Sequence, residues 1–147
     1  MTQTIHGSLI SIHGKGVLLC GIPGIGKSRL AFHLVQKGHA LVADDTVLLK
    51  KARQSVIGFA PKKGVGKLHR RGHSEYDEIE PEQVHRACEV CWVAHLVKGR
   101  SLLQTYAKTP TINSQYLLGK LIPEVILPKQ PIKLLAYKLE YFAKKLV

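Results

Sequence analysis

The sequence predicts an α/β fold: a mixed sheet built mostly from hairpin-linked strands, with a glycine-rich loop entered from a hairpin and an amphipathic helix near the C-terminus. Three observations predict it. Gly21-Ile22-Pro23-Gly24-Ile25-Gly26-Lys27-Ser28 has the form G-x-x-x-x-G-K-S and stands between a short apolar run and a helical pattern. Around it, strand-like runs follow one another across turn signals with one helix among them, which argues against repeated βαβ units. Leu135, Leu139, Phe142 and Leu146 recur at helical spacing, with Lys138, Lys144 and Lys145 off that line.

Taken in order, Ser8 to His13 alternates as a strand, Gly14-Lys15-Gly16 turns, and Val17 to Cys20 returns as a short buried strand that leads into the loop. Ser28 to Lys37 reads as a helix with Leu30, Ala31, Leu34 and Val35 on one face, and Gly38 stands at its C-cap. Ala40-Leu41-Val42-Ala43 is a strand ending at Asp44-Asp45, and Thr46 to Leu49 and Ser55 to Phe59 are two more strands joined across a basic turn. Lys62 to Arg71, with Gly64, Gly66 and many charges, reads as a mobile loop. Pro81 to Arg86 suits a helical turn, and Val90 to Val97 a buried strand. At 147 residues and 45% hydrophobic content, residues 1–147 are expected to form a single domain around one core.

The loop carries the first functional reading. Its glycines let successive backbone N–H groups wrap a phosphate chain, Lys27 adds a point charge, and Ser28 offers a hydroxyl to Mg²⁺. The following helix turns free N–H groups and partial positive charge toward the same place. Gly21, Ile22, Pro23, Gly24, Ile25, Gly26, Lys27 and Ser28 are therefore the expected nucleotide-binding residues, with ATP and Mg²⁺ as the ligands. A glycine-rich turn that happens to end in Lys-Ser is the alternative.

Adjacent carboxylates at a strand end point to opposite sides of the backbone. One of the pair Asp44-Asp45 can face a metal or its waters, the other an incoming hydroxyl, and kinases need both functions near the phosphoryl group. Two turn aspartates are the plainer reading.

The formal charge of +12 is unevenly spread. No acidic residue falls between Thr46 and Ser74, a stretch that holds Lys50, Lys51, Arg53, Lys62, Lys63, Lys67, Arg70 and Arg71; Glu75, Asp77, Glu78, Glu80 and Glu82 follow. A solvated basic face, an anionic nucleotide and acidic protein partner, or a nucleic-acid backbone would each account for it. The scarcity of interleaved aromatics weighs against single-strand stacking, and no nucleic acid is expected. No apolar run approaches the roughly 20 residues of a membrane span, and the N-terminus lacks a signal-peptide layout, so a cytoplasmic address without a membrane partner is the expectation. Three cysteines suggest no disulfide framework. His85-x-x-Cys88-x-x-Cys91-x-x-x-His95 has zinc-capable residue types but lacks the separated ligand pairs of a structural zinc module, and its apolar neighbours fit a core strand.

Ile5-His6-Gly7, Gly14-Lys15-Gly16-Val17-Leu18-Leu19, the glycine-rich loop and Gly38-His39-Ala40-Leu41-Val42-Ala43-Asp44-Asp45 together resemble the catalytic C-terminal domain of HPr kinase/phosphorylase. Leu117-Leu118-Gly119-Lys120-Leu121-Ile122-Pro123-Glu124-Val125-Ile126-Leu127-Pro128 is similar to the segment ahead of that family's last helix. The resemblance implies a P-loop kinase fold related to phosphoenolpyruvate carboxykinase, in a short form lacking the family's N-terminal domain, and assembly as a hexamer. It implies ATP- and Mg²⁺-dependent phosphorylation of a serine on an HPr-like phosphocarrier, and removal of that phosphate by inorganic phosphate to give pyrophosphate. By position, Asp45 would be the proton acceptor, Lys27 the stabiliser of the transferring phosphoryl group, His6 the active-site histidine and Arg100 the later catalytic arginine. Ser28 and Asp44 would hold the metal.

Two positions depart from the family's pattern. Leu68-His69-Arg70-Arg71-Gly72-His73-Ser74 stands where the family has Leu-Glu-x-Arg-Gly-x-Gly, so His69 replaces a metal-binding glutamate. The Gly-Arg that follows the late Pro segment is absent, with Lys133 a loose substitute. These departures keep two further readings open: a nucleotide-binding regulator impaired in catalysis, and a basic nucleic-acid-associated ATPase.

Overall fold

A computed structural model of the chain describes residues 2–69, 76–99 and 111–146. At its centre, β2 (Ser8–Ile12) and β3 (Lys15–Cys20) form an antiparallel hairpin. His13 and Gly14 turn it, both at positive φ (53° and 80°), the geometry whose twist suits a two-residue hairpin turn. The turn thus lies at 13–14, a little ahead of the predicted Gly14-Lys15-Gly16. Gly16 instead belongs to β3, where a Cβ would come 2.2 Å from the Glu89 carbonyl oxygen, closer than any side chain allows.

From β3 the chain passes through the glycine-rich loop into α1 (Lys27–Gln36), which buries Leu30, Ala31, Leu34 and Val35 as its spacing predicts. Gly38 closes α1 in the left-handed region (φ 101°): its N–H reaches the Val35 carbonyl and that of His39 the Leu34 carbonyl. β4 (Ala40–Ala43) then pairs with β2. β5 (Thr46–Ala52) and β6 (Ser55–Phe59) form the predicted hairpin across its basic turn. Among the strands not predicted, β1 (Thr2–His6) lies antiparallel along β5, with His6 opposite Thr46.

The strand β9 (Ala87–Val97) organises the sheet. On one side it runs parallel to β3; on the other, its first residues pair antiparallel with β6 and its last pair parallel with β11 (Lys120–Pro128). β10 (Thr111–Leu117) forms a hairpin with β11, which completes a nine-stranded sheet among the described residues. This sharing of one strand edge curls the mixed sheet around two apolar clusters. Ile10, Val17, Leu19, Trp92 and Ala94 pack toward the helices, while Leu9, Leu18, Val90 and Val93 face Val47, Leu49, Val56 and Ile122. Both faces of β2, β3 and β9 are therefore covered, which explains their near-continuous apolar runs.

α2 (Ile132–Lys145) is the predicted amphipathic helix and buries Leu135, Ala136, Leu139, Phe142 and Ala143. Leu146 follows as its cap and packs against the same cluster. The mobile loop predicted over 62–71 is corrected in its first part. A 3₁₀ turn (Lys62–Gly64) and the short pair β7 (Lys67–His69) and β8 (Tyr76–Glu78) form there, because Leu68 is drawn into the core. Of the helical turn predicted over Pro81 to Arg86, Pro81–Gln83 forms a single 3₁₀ turn and Val84 is already extended.

One polar contact joins the two helices. Glu140 of α2 accepts hydrogen bonds from Lys37 Nζ and from the buried His39, whose Nε2 is 2.8 Å away. Burial raises the Glu140 pKa, but the hydrogen bonds and charges of Lys37 and His39 outweigh it, and the carboxyl sits below its ordinary range. A depressed carboxyl pKa stabilises the fold above the unfolded-state value, and that contribution fades as pH falls through the folded value. Melting curves of the parent and Glu140→Gln should therefore differ at neutral pH and converge as pH falls through the depressed folded-state value.

Candidate active site

The parallel strands β3, β9 and β11 end on the same side of the sheet, where open α/β sheets commonly form clefts. A cleft of about 720 Å³ lies there. Its floor is the glycine-rich loop and the first turn of α1; its far wall is the segment Lys129–Ile132 between β11 and α2. The loop takes its shape from Gly24 (φ 83°) and Gly26 (φ 110°), both left-handed, while Ile25 is buried and anchors it to the core. Lys27 is nearly buried, and its Nζ donates to the carbonyls of Gly21 (2.7 Å) and Ile22 (3.1 Å). Burial lowers the Lys27 pKa, and the neighbouring Cys20, Asp45 and Asp44 pull it the other way.

The two aspartates after β4 diverge. Asp44 turns inward, with its side chain fully buried. It accepts from Ser8 Oγ at 2.5 Å, from Ser28 Oγ at 2.9 and 3.0 Å, and from the backbone N–H of His69 at 2.8 Å. Asp45 turns outward to line the cleft, its Oδ1 3.5 Å from His6 Nδ1, with both side chains about half exposed (46% and 52%). A left-handed backbone at Asp45 (φ 66°) produces the divergence. It is held by Gly7 N–H on the Asp45 carbonyl (3.1 Å) and Thr46 N–H on the Asp44 carbonyl (2.7 Å). The β1–β5 pairing that sequence reasoning missed is what brings His6 beside Asp45.

His6, Lys27, Ser28, Asp44 and Asp45 are thus assembled around one end of the cleft; Arg100 lies outside the described residues. Ser8 and His69 join them as partners of Asp44. A serine opening the apolar run Ser8-Leu9-Ile10 was the available signal for the first. The far wall contributes Lys129, whereas Lys133 is not among the residues lining the cleft.

His85, Cys88, Cys91 and His95 form no metal centre. No group of three or more His, Cys, Asp or Glu is arranged to hold a metal among the described residues. Cys88 and Cys91 are three apart on β9 and so face opposite sides of it. Burial pushes the Cys88 thiol up to about 12, with Cys91 and Glu89 adding to it, and raises Cys91 as well.

A curled mixed sheet with a covering C-terminal helix is the architecture of a kinase family. The chain belongs to that family, matching the profile described as HPr Serine kinase C-terminal domain over residues 1–145. It is 30% identical over 135 residues to the HPr kinase/phosphorylase of Malacoplasma penetrans, covering 89% of this chain and 45% of that protein. It is 31% identical over 128 residues to that of Mycoplasmopsis pulmonis, covering 84% and 41%. The chain therefore spans less than half the length of these curated relatives. Among solved structures, the Hpr(Ser) kinase/phosphatase from Coxiella burnetii superposes with a TM-score of 0.83 at 28% identity, over 97% of this chain and 95% of that one. No helix among the described residues is long and apolar enough to cross a membrane.

Proposed function

We propose that this chain is an ATP-dependent protein kinase that phosphorylates a serine of an HPr-like phosphocarrier, and that the same site runs the reverse transfer to inorganic phosphate. The divergence of Asp44 and Asp45 carries this reading, because it separates a buried carboxylate beside the Ser28 hydroxyl from an open one facing the cleft. Loop N–H groups and the N-terminus of α1 bind the triphosphate, and Lys27 leaves its carbonyl partners to meet the transferring phosphoryl group. Asp45 accepts the proton of the serine hydroxyl as its oxygen bonds to phosphorus and ADP departs. In reverse, a phosphate oxygen attacks the phosphoserine, the bond to the serine oxygen breaks, and that oxygen recovers the proton from Asp45 as pyrophosphate forms. His6 orients the Asp45 carboxylate.

The oxygen donors of Asp44 and Ser28 fit a hard divalent cation such as Mg²⁺, which takes one or two carboxylates and fills its remaining positions with phosphate and water. Such a cation neutralises charge on the phosphates. The basic hairpin β5–β6 and the lysines of 62–67 offer an acidic carrier a complementary surface.

Incubating the chain with ATP, Mg²⁺ and an HPr-like carrier, followed by intact-mass measurement, tests the reading. The carrier should gain one phosphoryl group, lose it again when phosphate is added, and gain none when its target serine is replaced by alanine. Normal ATP binding with an unmodified carrier would instead select a nucleotide-binding regulator.

A further inference from the structure

The surroundings of Asp44 hold one donor that the kinase reading leaves unused. The ring Nδ1 of His69 is buried and has no hydrogen-bond partner among the described residues, and it lies 3.3 Å from Asp44 Oδ2. A buried polar atom left in this way costs about 1–3 kcal/mol unless something satisfies it. The placement is built in. The backbone N–H of the same residue donates to Asp44 Oδ2, Leu68 is sunk in the core, and His69 pairs with Tyr76 across β7–β8. The rest of the imidazole opens into the cleft.

Two donors on one cation, with bonds of about 2.0–2.2 Å, stand roughly 3.0–3.5 Å apart. His69 Nδ1 and Asp44 Oδ2 are 3.3 Å apart, and Ser28 Oγ is 2.9 Å from the same oxygen. A ring nitrogen and a carboxylate oxygen that face each other at this distance with no hydrogen bond between them are spaced to share a cation. An imidazole nitrogen is a weak donor to Mg²⁺, whereas first-row transition ions accept nitrogen and oxygen together.

We propose that His69 Nδ1 is a metal ligand alongside Asp44 and Ser28, and that this mixed donor set makes the site favour a transition-metal divalent ion such as Mn²⁺ over Mg²⁺. The proposal rests on the metal–nucleotide reading above. Nucleotide phosphates and water complete the coordination.

Pulsed electron paramagnetic resonance of the wild-type chain with Mn²⁺ and β,γ-methylene ATP, whose phosphate chain has no nitrogen, tests it without turnover. The expected spectrum carries a ¹⁴N coupling that changes when the histidines are ¹⁵N-labelled and disappears in His69→Ala. In parallel titrations that variant should lose roughly tenfold in Mn²⁺ affinity while Mg²⁺ affinity changes less than about twofold. Bound Mn²⁺ and nucleotide without a nitrogen coupling, or with a coupling that survives in His69→Ala, overturns the assignment and leaves the nucleotide site standing. Failure of β,γ-methylene ATP to bind with either ion overturns both readings.

Discussion

Replacing Asp45 with asparagine is expected to slow phosphoryl transfer by about 10²–10⁴, the usual contribution of a positioned general base, while leaving the fold and ATP binding nearly unchanged. The substitution is chosen from the backbone. Asp45 occupies the left-handed region at φ 66°, which asparagine tolerates and alanine does not readily adopt. Its carboxylate is half exposed and contacts His6, without supporting the core, so the charge can be removed at little structural cost. An amide keeps the shape and one acceptor oxygen but accepts a proton far less readily. The loss should therefore fall on kcat, with the KM for ATP moving little.

Asp44→Ala should act differently, through stability as well as activity. Its buried carboxylate is the shared acceptor for Ser8 Oγ, Ser28 Oγ and the His69 N–H, which come from β2, α1 and β7. Both serines border the cleft, but Ser28 is half-buried and can turn to water, whereas Ser8 is only 1% exposed. A loss of about 2–4 kcal/mol follows from leaving these donors unsatisfied, a fall of roughly 5–15 °C in melting temperature. Asp44→Asn retains an acceptor oxygen and should recover part of that stability. It should not recover metal-dependent nucleotide binding, since the negative charge is gone. Calorimetric melting beside titration with Mg²⁺ and ATP separates the two effects. Equal losses of stability in both variants would contradict the hydrogen-bonding account.

The elements around the glycine-rich loop were legible because local rules agree there: an apolar strand, glycines at positive φ, a helix with one buried face and a glycine cap at Gly38. The divergence of Asp44 and Asp45 was legible from strand geometry, but the left-handed backbone that enforces it was not. β1 escaped notice because Thr2-Gln3-Thr4-Ile5-His6 is a mostly exposed edge strand, stabilised by pairing with β5 from a distant part of the sequence. β7 and β8 escaped because each has three residues and lies among charges and glycines, with Leu68 alone supplying the burial. The division of one edge of β9 between β6 and β11 is purely tertiary, and it brings the wall carrying Lys129 opposite the loop. His69 was legible as a departure from the family's pattern. That its backbone and ring both address Asp44 depends on where β7 docks.

The central claim is that Asp45 draws the proton from a serine while the loop and Asp44 hold the nucleotide. Single-turnover transfer from γ-labelled ATP to the serine of an HPr-like carrier tests it most directly, with wild type and Asp45→Asn compared at saturating nucleotide. The account predicts transfer by the wild type, and transfer at least about 100-fold slower by a variant that binds ATP equally well. Transfer at the wild-type rate by Asp45→Asn, or none by a wild type that binds ATP, would contradict it.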